Sequence, residues 1–381
     1  MRKTLVLTLL AVLSVIPATA QAVLDYPFSL FSPPPFSPDT VSVLFVGDVM
    51  MHTKQIENSL DRETGEHDFS QWLVHVRDHL EKATVAVANM EFTLAGKPYT
   101  GYPCFSAPDN YPDYVADCGV DIFLTANNHI LDKGRKGIDR TLSIYDSMEK
   151  DGRIWYTGAA ADEAQYTTRY PLIFVARGVR IALVNFTYGT NLGIQSAYPK
   201  VNVTDTTEIA EAIRRAKAAK ADFIIALPHW GTEYVLSHSA SQHNLAVWLA
   251  EQGCDAVVGA HPHVVQDTEV IRVRRKEGYG YKEVPVVYSM GNFISNMSAR
   301  NTQVGLMVTL KFAKGPEGAR KILPPEYSFT WCTRPGTLSE TFSTVPVKEF
   351  LDKRDMWIQK GDYDNMVRSY ERVKAATGIT D

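Results

Sequence analysis

The chain has 381 residues, of which 45% are hydrophobic and 22% are charged, and its formal net charge is −4. This composition is typical of a globular protein with one decorated domain or two domains, and it excludes the disordered and collagen-like classes. The negative charge argues against a nucleic-acid partner, and we predict none.

The first 22 residues have the pattern of a cleavable secretory signal. They contain two basic residues, a short apolar segment and overlapping A-x-A sites that end at Ala20 or Ala22. We therefore expect an exported protein, periplasmic or extracellular. Residues 23–40 are rich in proline, and we predict an extended tether for them.

Strand-length apolar runs alternate with helix-like stretches over residues 41–315. The runs are VSVLFVGD, TVAVANME, DIFLTANN, RIALVNFT, DFIIALPHW, DAVVGAHPH and VPVVYSMGN. Continuous apolarity indicates strands that are covered on both faces, so we predict an α/β domain with helices outside the sheets. Residues 316–381 are richer in proline and charge, and we interpret them as appended C-terminal strands and helices rather than a separate catalytic unit.

Four cysteines in an exported chain allow three disulfide connectivities. We favour a bond between Cys104 and Cys118, because the two are close in sequence and Cys118 leads into a strand that could begin near the loop of Cys104. The alternative is that all four cysteines are unpaired and buried as small apolar groups.

Polar side chains of similar chemistry follow six of the predicted strands. In chain order they are Asp48 and His52; Asn89 and Glu91; Asn127, Asn128, His129 and Asp132; His229 and Glu233; His261 and His263; and Asn292. A single polar strand end is usually a turn or a helix cap. So many of them, at the edge where open α/β sheets bind ligands, indicate one functional crevice.

The donor types limit the metals that such a crevice can bind. Carboxylate, carboxamide and imidazole groups without thiolate suit manganese, iron or zinc. They also fit two metals that share a carboxylate, with His261 and His263 serving different ions. Two such ions can share a water and lower its pKa to near neutrality.

The motifs GD, NMEFTL, TANNHILDKG, HWGTEY, GAHPHVVQ and YSMGNF occur in this order over residues 41–312. Together they resemble the capsule-synthesis CapA family, which is associated with poly-γ-glutamate capsules and has the calcineurin-like metallophosphoesterase fold. The resemblance implies a four-layer α-β-β-α sandwich with two divalent ions at one edge. The implied metal ligands are Asp48, Glu91 as the bridging carboxylate, Asn128, His229, His261 and His263.

The resemblance also implies catalytic roles. His129 follows the implied asparagine ligand and resembles a histidine that either acts as general acid or stabilises the attacked oxygen, and we add Asp132 and Glu233 as catalytic candidates. His52 lies four residues after Asp48, whereas the phosphoesterase pattern has a histidine two residues after the aspartate, so we do not count His52 as a ligand. Glu91 stands where that pattern usually has aspartate, which bears on the reaction more than on the fold.

Three classes of function remain. The first is a two-metal hydrolase of capsule biosynthesis, in which an activated water attacks a phosphoester or γ-glutamyl amide of an anionic polymer or phosphorylated small molecule. The second is a non-catalytic polymer-binding or export factor that uses the same crevice beside membrane-bound capsule synthesis subunits. The third is a structural surface protein with a vestigial site. We favour the first, because an idle crevice has no need of so many compatible ligands.

Further charged and aromatic residues are expected near the rim of the crevice. His238 and His243 belong to the loop and helix start after the HWGTEY strand, where they either meet substrate or are ordinary surface histidines. Lys133 and Arg135 either contact an anionic substrate or belong to a solvated helix start.

Overall fold

The computed structural model describes residues 24–25, 40–193, 197–274, 280–314 and 319–381. The predicted signal segment and most of the predicted tether lie outside the described residues. Within the described ranges, no helix is long and apolar enough to cross a membrane.

The larger of two main sheets contains nine strands among the described residues. Numbered in chain order, they are β2 (Thr40–Val49), β3 (Val85–Met90), β4 (Ile122–Leu124), β5 (Trp155–Thr157), β14 (Asn292–Ile294), β15 (Val304–Lys314), β16 (Arg320–Ile322), β17 (Glu326–Thr333) and β18 (Ser343–Pro346). The spatial order is β18-β17-β15-β2-β3-β4-β5, with β14 on β2 and β16 on β15. Strands β2 to β5 are parallel, so their carboxyl ends share one edge.

The smaller main sheet contains seven strands in the described part of the chain, in the order β1-β7-β8-β10-β11-β13-β12. They are β1 (Leu24–Asp25), β7 (Leu172–Ala176), β8 (Val179–Thr187), β10 (Phe223–His229), β11 (Ala256–Val258), β12 (Thr268–Arg274) and β13 (Tyr281–Val287). Strands β8, β10, β11 and β13 are parallel. A separate antiparallel pair is formed by β6 (Ala159–Ala160) and β9 (Lys200–Val201).

Most of the longer helices lie outside the sheets. The bounds are α1 (Thr53–Ser59), α2 (Arg77–Lys82), α3 (Tyr111–Asp117), α4 (Gly134–Lys150), α5 (Glu163–Arg169), α6 (Thr206–Ala218), α7 (Ala240–Gln252), α8 (Val347–Phe350) and α9 (Lys360–Thr377), with a 3-10 turn at Arg354–Met356. Buried residues of α2, α3 and α4 pack on the larger sheet, and those of α6 and α7 pack on the smaller one, whereas α8 and α9 pack against the central cluster.

Three apolar clusters lie between four layers of helices and sheets. One lies between the two sheets, and each of the other two lies between a sheet and the helices that cover it. Along β2, Val43 and Phe45 lie in the cluster between the two sheets, whereas Leu44 and Val46 face the helices. This alternation is the period of a strand that is buried on both faces. Ile225 of β10 joins the same central cluster from the other sheet. The predicted four-layer α-β-β-α sandwich is therefore confirmed.

The C-terminal residues are continuous with the larger sheet and its core. β17 pairs antiparallel with β15, and β18 extends the sheet beyond β17. Met366, Tyr370 and Val373 of α9 are buried in the central cluster. Residues 319–381 thus add strands and apolar surface to the main sandwich.

The prediction of a disulfide between Cys104 and Cys118 is wrong. All four cysteines are free, and only Cys104 among them is exposed. Cys118 ends α3 and hydrogen-bonds with Tyr114, and burial raises the pKa of its thiol. The buried Cys118, Cys254 and Cys332 correspond to the alternative interpretation of unpaired apolar groups.

Candidate metal centre

Each main sheet contributes half of one crevice. Asp48 lies in β2, Glu91 directly follows β3 and Asn128 follows β4, whereas His229 ends β10 and His261 and His263 follow β11. All of these side chains are buried. The carboxyl ends of parallel strands from both sheets meet here, which is why residues far apart in sequence converge.

Glu91 lies at the centre of the crevice. Its Oε1 atom is 3.6 Å from His229 Nε2, 3.8 Å from His263 Nε2 and 4.0 Å from His129 Nε2. Among the described residues, this buried oxygen has no hydrogen-bond partner. A carboxylate oxygen that faces several imidazole nitrogens at such distances is arranged for a shared cation rather than for direct hydrogen bonds.

The donors form two groups that share Glu91. One group contains Glu91, His261 and His263, and the other contains Asp48, Glu91 and His229; in each, the ligand atoms lie within 4.8 Å of one another. His261 Nδ1 is also buried without a partner in the part of the chain that the structure describes. Buried polar atoms without partners are costly, and a metal would satisfy both of them. These residues therefore fit divalent metal, with Glu91 common to both donor groups.

Burial controls the charge state of these side chains. Burial and the Asp48 carboxylate raise the pKa of Glu91 well above its usual value. Burial, with other histidines nearby, lowers the pKa of His229 well below its usual value and that of His261 to about 4. Neutral imidazole is the form that binds metals, so both rings are ready to do so near neutral pH.

The backbone is strained at the paired histidines. His261 has φ of +102° and His263 has φ of +57°, in the region that normally favours glycine. Tyr234, also with positive φ, donates its backbone N–H to Pro262 O at 2.9 Å. Strain of this kind costs on the order of 1–3 kcal/mol per residue and persists where the surroundings enforce it. Here it directs two imidazoles from a strand exit into one crevice.

Carboxamides hold the ligands in place. Asn89 Nδ2 donates to Asp48 Oδ1 at 2.7 Å, and Asn292 Oδ1 lies 3.0 Å from His263 Nδ1. A proton on Nδ1 of His263 leaves Nε2 free to face Glu91. Asn89 and Asn292, two of the polar strand ends in the sequence, thus lie behind the ligands.

His129 and Asp132 form a buried dyad beside Glu91. His129 Nδ1 lies 2.7 Å from Asp132 Oδ2, and a carboxylate can only accept, so Nδ1 carries the proton. The Nε2 atom then faces the crevice. Asp132 also accepts the backbone N–H of Phe105 at 2.8 Å, and the Phe105 ring lies edge-on to His129 with centroids 4.6 Å apart. These contacts fix the orientation of the imidazole.

The other two candidates occupy different positions. Glu233 lies on an exposed loop after β10 and hydrogen-bonds with Tyr234. Its charge acts on the pKa of Glu91 and His261, which places it at the rim. His52 is the N-cap of α1 and forms a capping box with Gln55, so a structural role accounts for it.

Two residues near the crevice were not identified from the sequence. Asn191 Nδ2 is 3.2 Å from His129 Nδ1 and 3.5 Å from Asp132 Oδ1. The half-exposed ring of Tyr188 lies 4.6 Å from that of His261. Both follow β8, whose carboxyl end lies beside β10. Asn191 follows β8 in the same way that the other polar residues follow their strands, so the same sequence pattern identifies it.

The match to a known family agrees with this geometry. Residues 42–297 match the family described as bacterial capsule synthesis protein PGA_cap. The chain belongs to this family. This confirms the resemblance that the motifs carry.

Two Bacillus proteins are similar to most of the chain. The capsule biosynthesis protein CapA of Bacillus anthracis is 27% identical over 283 residues, which cover 71% of this chain and 63% of that protein. The PGA biosynthesis protein CapA of Bacillus subtilis (strain 168) is 25% identical over 300 residues, covering 76% and 72%. The chain thus matches less than two thirds of the length of the Bacillus anthracis protein.

Two solved structures align more weakly. Haemophilus influenzae NAD nucleotidase gives a TM-score of 0.45 at 14% identity, covering 88% of this chain and 67% of that one. The Thermus thermophilus sulfate thiohydrolase SoxB gives 0.39 at 12% identity, covering 91% and 62%. Similarity at this level carries no statement about the activity of this chain.

Proposed function

We propose that this capsule-synthesis protein is a hydrolase that depends on two divalent ions of manganese, iron or zinc. Its substrate is an anionic polymer of the cell envelope, cleaved at a γ-glutamyl amide, or a phosphorylated small molecule, cleaved at a phosphoester. The observation that supports it best is the buried, unpaired Oε1 of Glu91 with three histidine nitrogens within 4.0 Å. The proposed ligands are Asp48, Glu91, Asn128, His229, His261 and His263.

The chemistry follows from the ligand set. The donor groups would hold divalent ions, which would supply a nucleophilic water at neutral pH and polarise the oxygen of the attacked group. The chain itself places Glu91 between the two donor groups and keeps His229 and His261 neutral through burial. Burial of the whole set also excludes bulk water, which strengthens electrostatic interactions with a bound substrate.

His129 is the proposed proton-transfer residue. Because Asp132 accepts the Nδ1 proton, Nε2 can take up a second proton and donate it to the departing group. Asp132 also stabilises the imidazolium that forms. Glu233 lies at the rim, where its negative charge repels a polyanion that approaches non-specifically. Recognition of an anionic substrate therefore requires specific contacts with cationic or polar residues near the crevice.

A cavity of about 340 Å³ offers one such local contact surface. Lys133, Tyr99 and Tyr102 are among the residues that line it. It adjoins the crevice through Phe105, which packs against both Tyr102 and His129. We place an anionic segment of substrate here, near the Lys133 ammonium, whereas Arg135 pairs with Asp139 at 3.4 Å on the exposed helix surface.

Parallel assays with two substrates test this function. Purified protein loaded with manganese or zinc is incubated with poly-γ-glutamate and with a generic aryl phosphate, and both binding and product are followed. Cleavage of the polymer alone supports the amide hydrolase, and turnover of the phosphate alone supports the phosphoesterase. Binding of the polymer that chelation abolishes, without cleavage, would instead support a polymer-binding or export factor. No interaction with either substrate contradicts the proposal.

We also propose that the protein acts after export, beside membrane-bound capsule synthesis subunits. The proposal rests on the signal-like pattern of residues 1–22 and on the capsule-synthesis family. N-terminal sequencing of the protein recovered from the periplasm or medium tests it. A mature N-terminus directly after Ala20 or Ala22 is expected, and an uncleaved cytoplasmic protein contradicts it.

A further inference from the structure

A second cluster of histidines and carboxylates lies apart from the metal centre. His238 lies on the loop between β10 and α7, and His243 lies in the first turn of α7. Asp267 directly precedes β12, and Glu269 is the second residue of that strand. His238 Nδ1 is 2.9 Å from Asp267 Oδ2, and His243 Nδ1 is 3.0 Å from Glu269 Oε2.

The surrounding contacts orient this cluster. Tyr288 stacks on His238 with ring centroids 4.0 Å apart, and its hydroxyl donates to Glu269 Oε2 at 2.7 Å. The backbone N–H of His238 donates to Asp267 Oδ1 at 3.0 Å. Ser239 caps α7 through a capping box, which fixes the turn that carries His243. The donors are therefore positioned by bonds within the protein.

The spacing and the charge suit a divalent metal. Ligand atoms of His238, His243 and Glu269 lie within 4.8 Å of one another. Zinc bonds of about 2.0–2.2 Å place tetrahedral ligands about 3.3–3.6 Å apart, so modest side-chain rotation closes the remaining gap. Two imidazoles and a carboxylate are a zinc-binding donor set with a fourth position for water. Asp267 and Glu269 together balance the charge of a divalent ion.

Solvent can reach the cluster. The side chains of His238, His243 and Glu269 are 27%, 39% and 34% exposed. We propose that these three residues form an additional divalent-metal site of the zinc class, with Asp267 orienting His238. The site shares no ligand with the metal centre, so it does not depend on the proposed function.

An ion at this site joins two segments that border the crevice. Gln266 Nε2 donates to Val235 O at 2.9 Å and to Ser237 O at 3.0 Å, so the loop after β10 already packs against the segment after β11. The loop carries Glu233, and the segment carries His263. A bound ion therefore stabilises the rim of the crevice from outside.

Zinc stoichiometry in a variant background tests the site. The full chain with Glu91→Gln, His229→Ala and His263→Ala, which removes donors from both groups of the metal centre, is stripped with a chelator and titrated with Zn²⁺ by calorimetry, followed by elemental analysis. We expect one zinc equivalent to remain bound. Adding His243→Ala should remove that equivalent or weaken its binding at least about 10–100-fold.

A matched control separates a built site from a surface histidine pair. His79 also lies against a carboxylate, with Nε2 at 2.7 Å from Glu349 Oε1, and His79→Ala in the same background should retain the zinc. If His243→Ala does not fold by circular dichroism, His238→Asn and Glu269→Gln replace it. Equal zinc content with and without these substitutions overturns the proposal, and loss of zinc from a folded variant supports it.

Discussion

The two clusters of histidine and carboxylate differ in burial and in hydrogen bonding. In the metal centre, defined by Asp48, Glu91, Asn128, His229, His261 and His263, the side chains are buried, and Glu91 Oε1 lacks a partner among the described residues. In the surface cluster, defined by His238, His243, Asp267 and Glu269, each histidine lies within 3.0 Å of a carboxylate oxygen, and the side chains are partly exposed.

This difference shows how burial changes the energetics of the same chemical groups. In the surface cluster, hydrogen bonds within the protein and water already satisfy the polar groups. The metal-free folded chain therefore carries no cost there that a bound ion would relieve. The metal centre contains a buried carboxylate whose pKa is raised, and a bound cation would offset the cost of burying its charge. Substitutions in the two clusters should therefore have effects of different size and, in one case, of opposite sign.

The largest expected effect is on turnover, at the His129 dyad. His129→Ala should lower kcat by about 10²–10⁴-fold, because it removes the group that transfers a proton to the leaving group. Metal content by elemental analysis should be unchanged, since His129 is not among the proposed ligands. The assay is the substrate cleavage found for the wild-type chain.

A surface histidine provides the comparison for that variant. His79→Ala should leave kcat within a few-fold of wild type, because His79 pairs with Glu349 at the surface and belongs to neither cluster. Loss of metal in His129→Ala would mean that this residue is a ligand, and unchanged turnover would mean that it is not a catalyst.

The next effect is on metal affinity. His261→Ala removes a ligand whose Nδ1 has no other partner in the described part of the chain, and it should weaken binding at the metal centre by about 100-fold or more. The measurement is competition with a chelator of known affinity for manganese. Burial lowers the pKa of His261 to about 4, so its imidazole stays neutral on mild acidification. Protonation of His261 should therefore not weaken metal binding in the wild type until the pH approaches that value. Equal affinity in the variant and wild type would exclude His261 as a ligand.

The sequence predicted strands covered on both faces and the convergent residues for a physical reason, whereas the four layers were implied by the family resemblance. Strands buried on both faces are continuous apolar runs, and their carboxyl ends share an edge, so Asp48, Glu91 and His261 could be placed together without coordinates. The ligand roles themselves stay predictions. Cys104 and Cys118 could not be assigned from their spacing, because closeness in sequence does not reveal that one side chain is exposed and the other is buried.

The edge of the larger sheet was also beyond sequence reasoning. β17 pairs antiparallel with β15, β18 pairs antiparallel with β17, and nothing in their residue pattern indicates these partners. The same limit applies to the surface cluster. His238 and Asp267 are bonded only because the loop after β10 folds against the segment after β11.

A stability effect of moderate size is expected at Glu91. Burial and Asp48 raise the pKa of Glu91, so the folded metal-free chain binds a proton that the unfolded chain releases above about pH 4.5. The stability of the metal-free chain should therefore fall as pH rises from that value through the raised pKa. Glu91→Gln removes this loss and should stabilise metal-free protein at pH 7 by on the order of 1–3 kcal/mol. Urea denaturation at several pH values measures it, and destabilisation at pH 7 would contradict the argument.

The smallest effect, and the one of opposite sign, is expected at Glu269. Burial opposes the shift, but hydrogen bonds from Tyr288 and His243 prevail and lower the pKa of Glu269. Its contribution to stability is present above the unfolded value of about 4.5 and is lost as pH falls through the folded pKa. Glu269→Gln should therefore destabilise metal-free protein at pH 7, by about 1 kcal/mol or less because solvent screens the group. Urea denaturation of this variant should be compared with that of Glu91→Gln, because both substitutions replace a glutamate carboxylate by a glutamine amide. Stabilisation by both would show that burial does not distinguish the clusters, because only the buried carboxylate should gain from losing its charge.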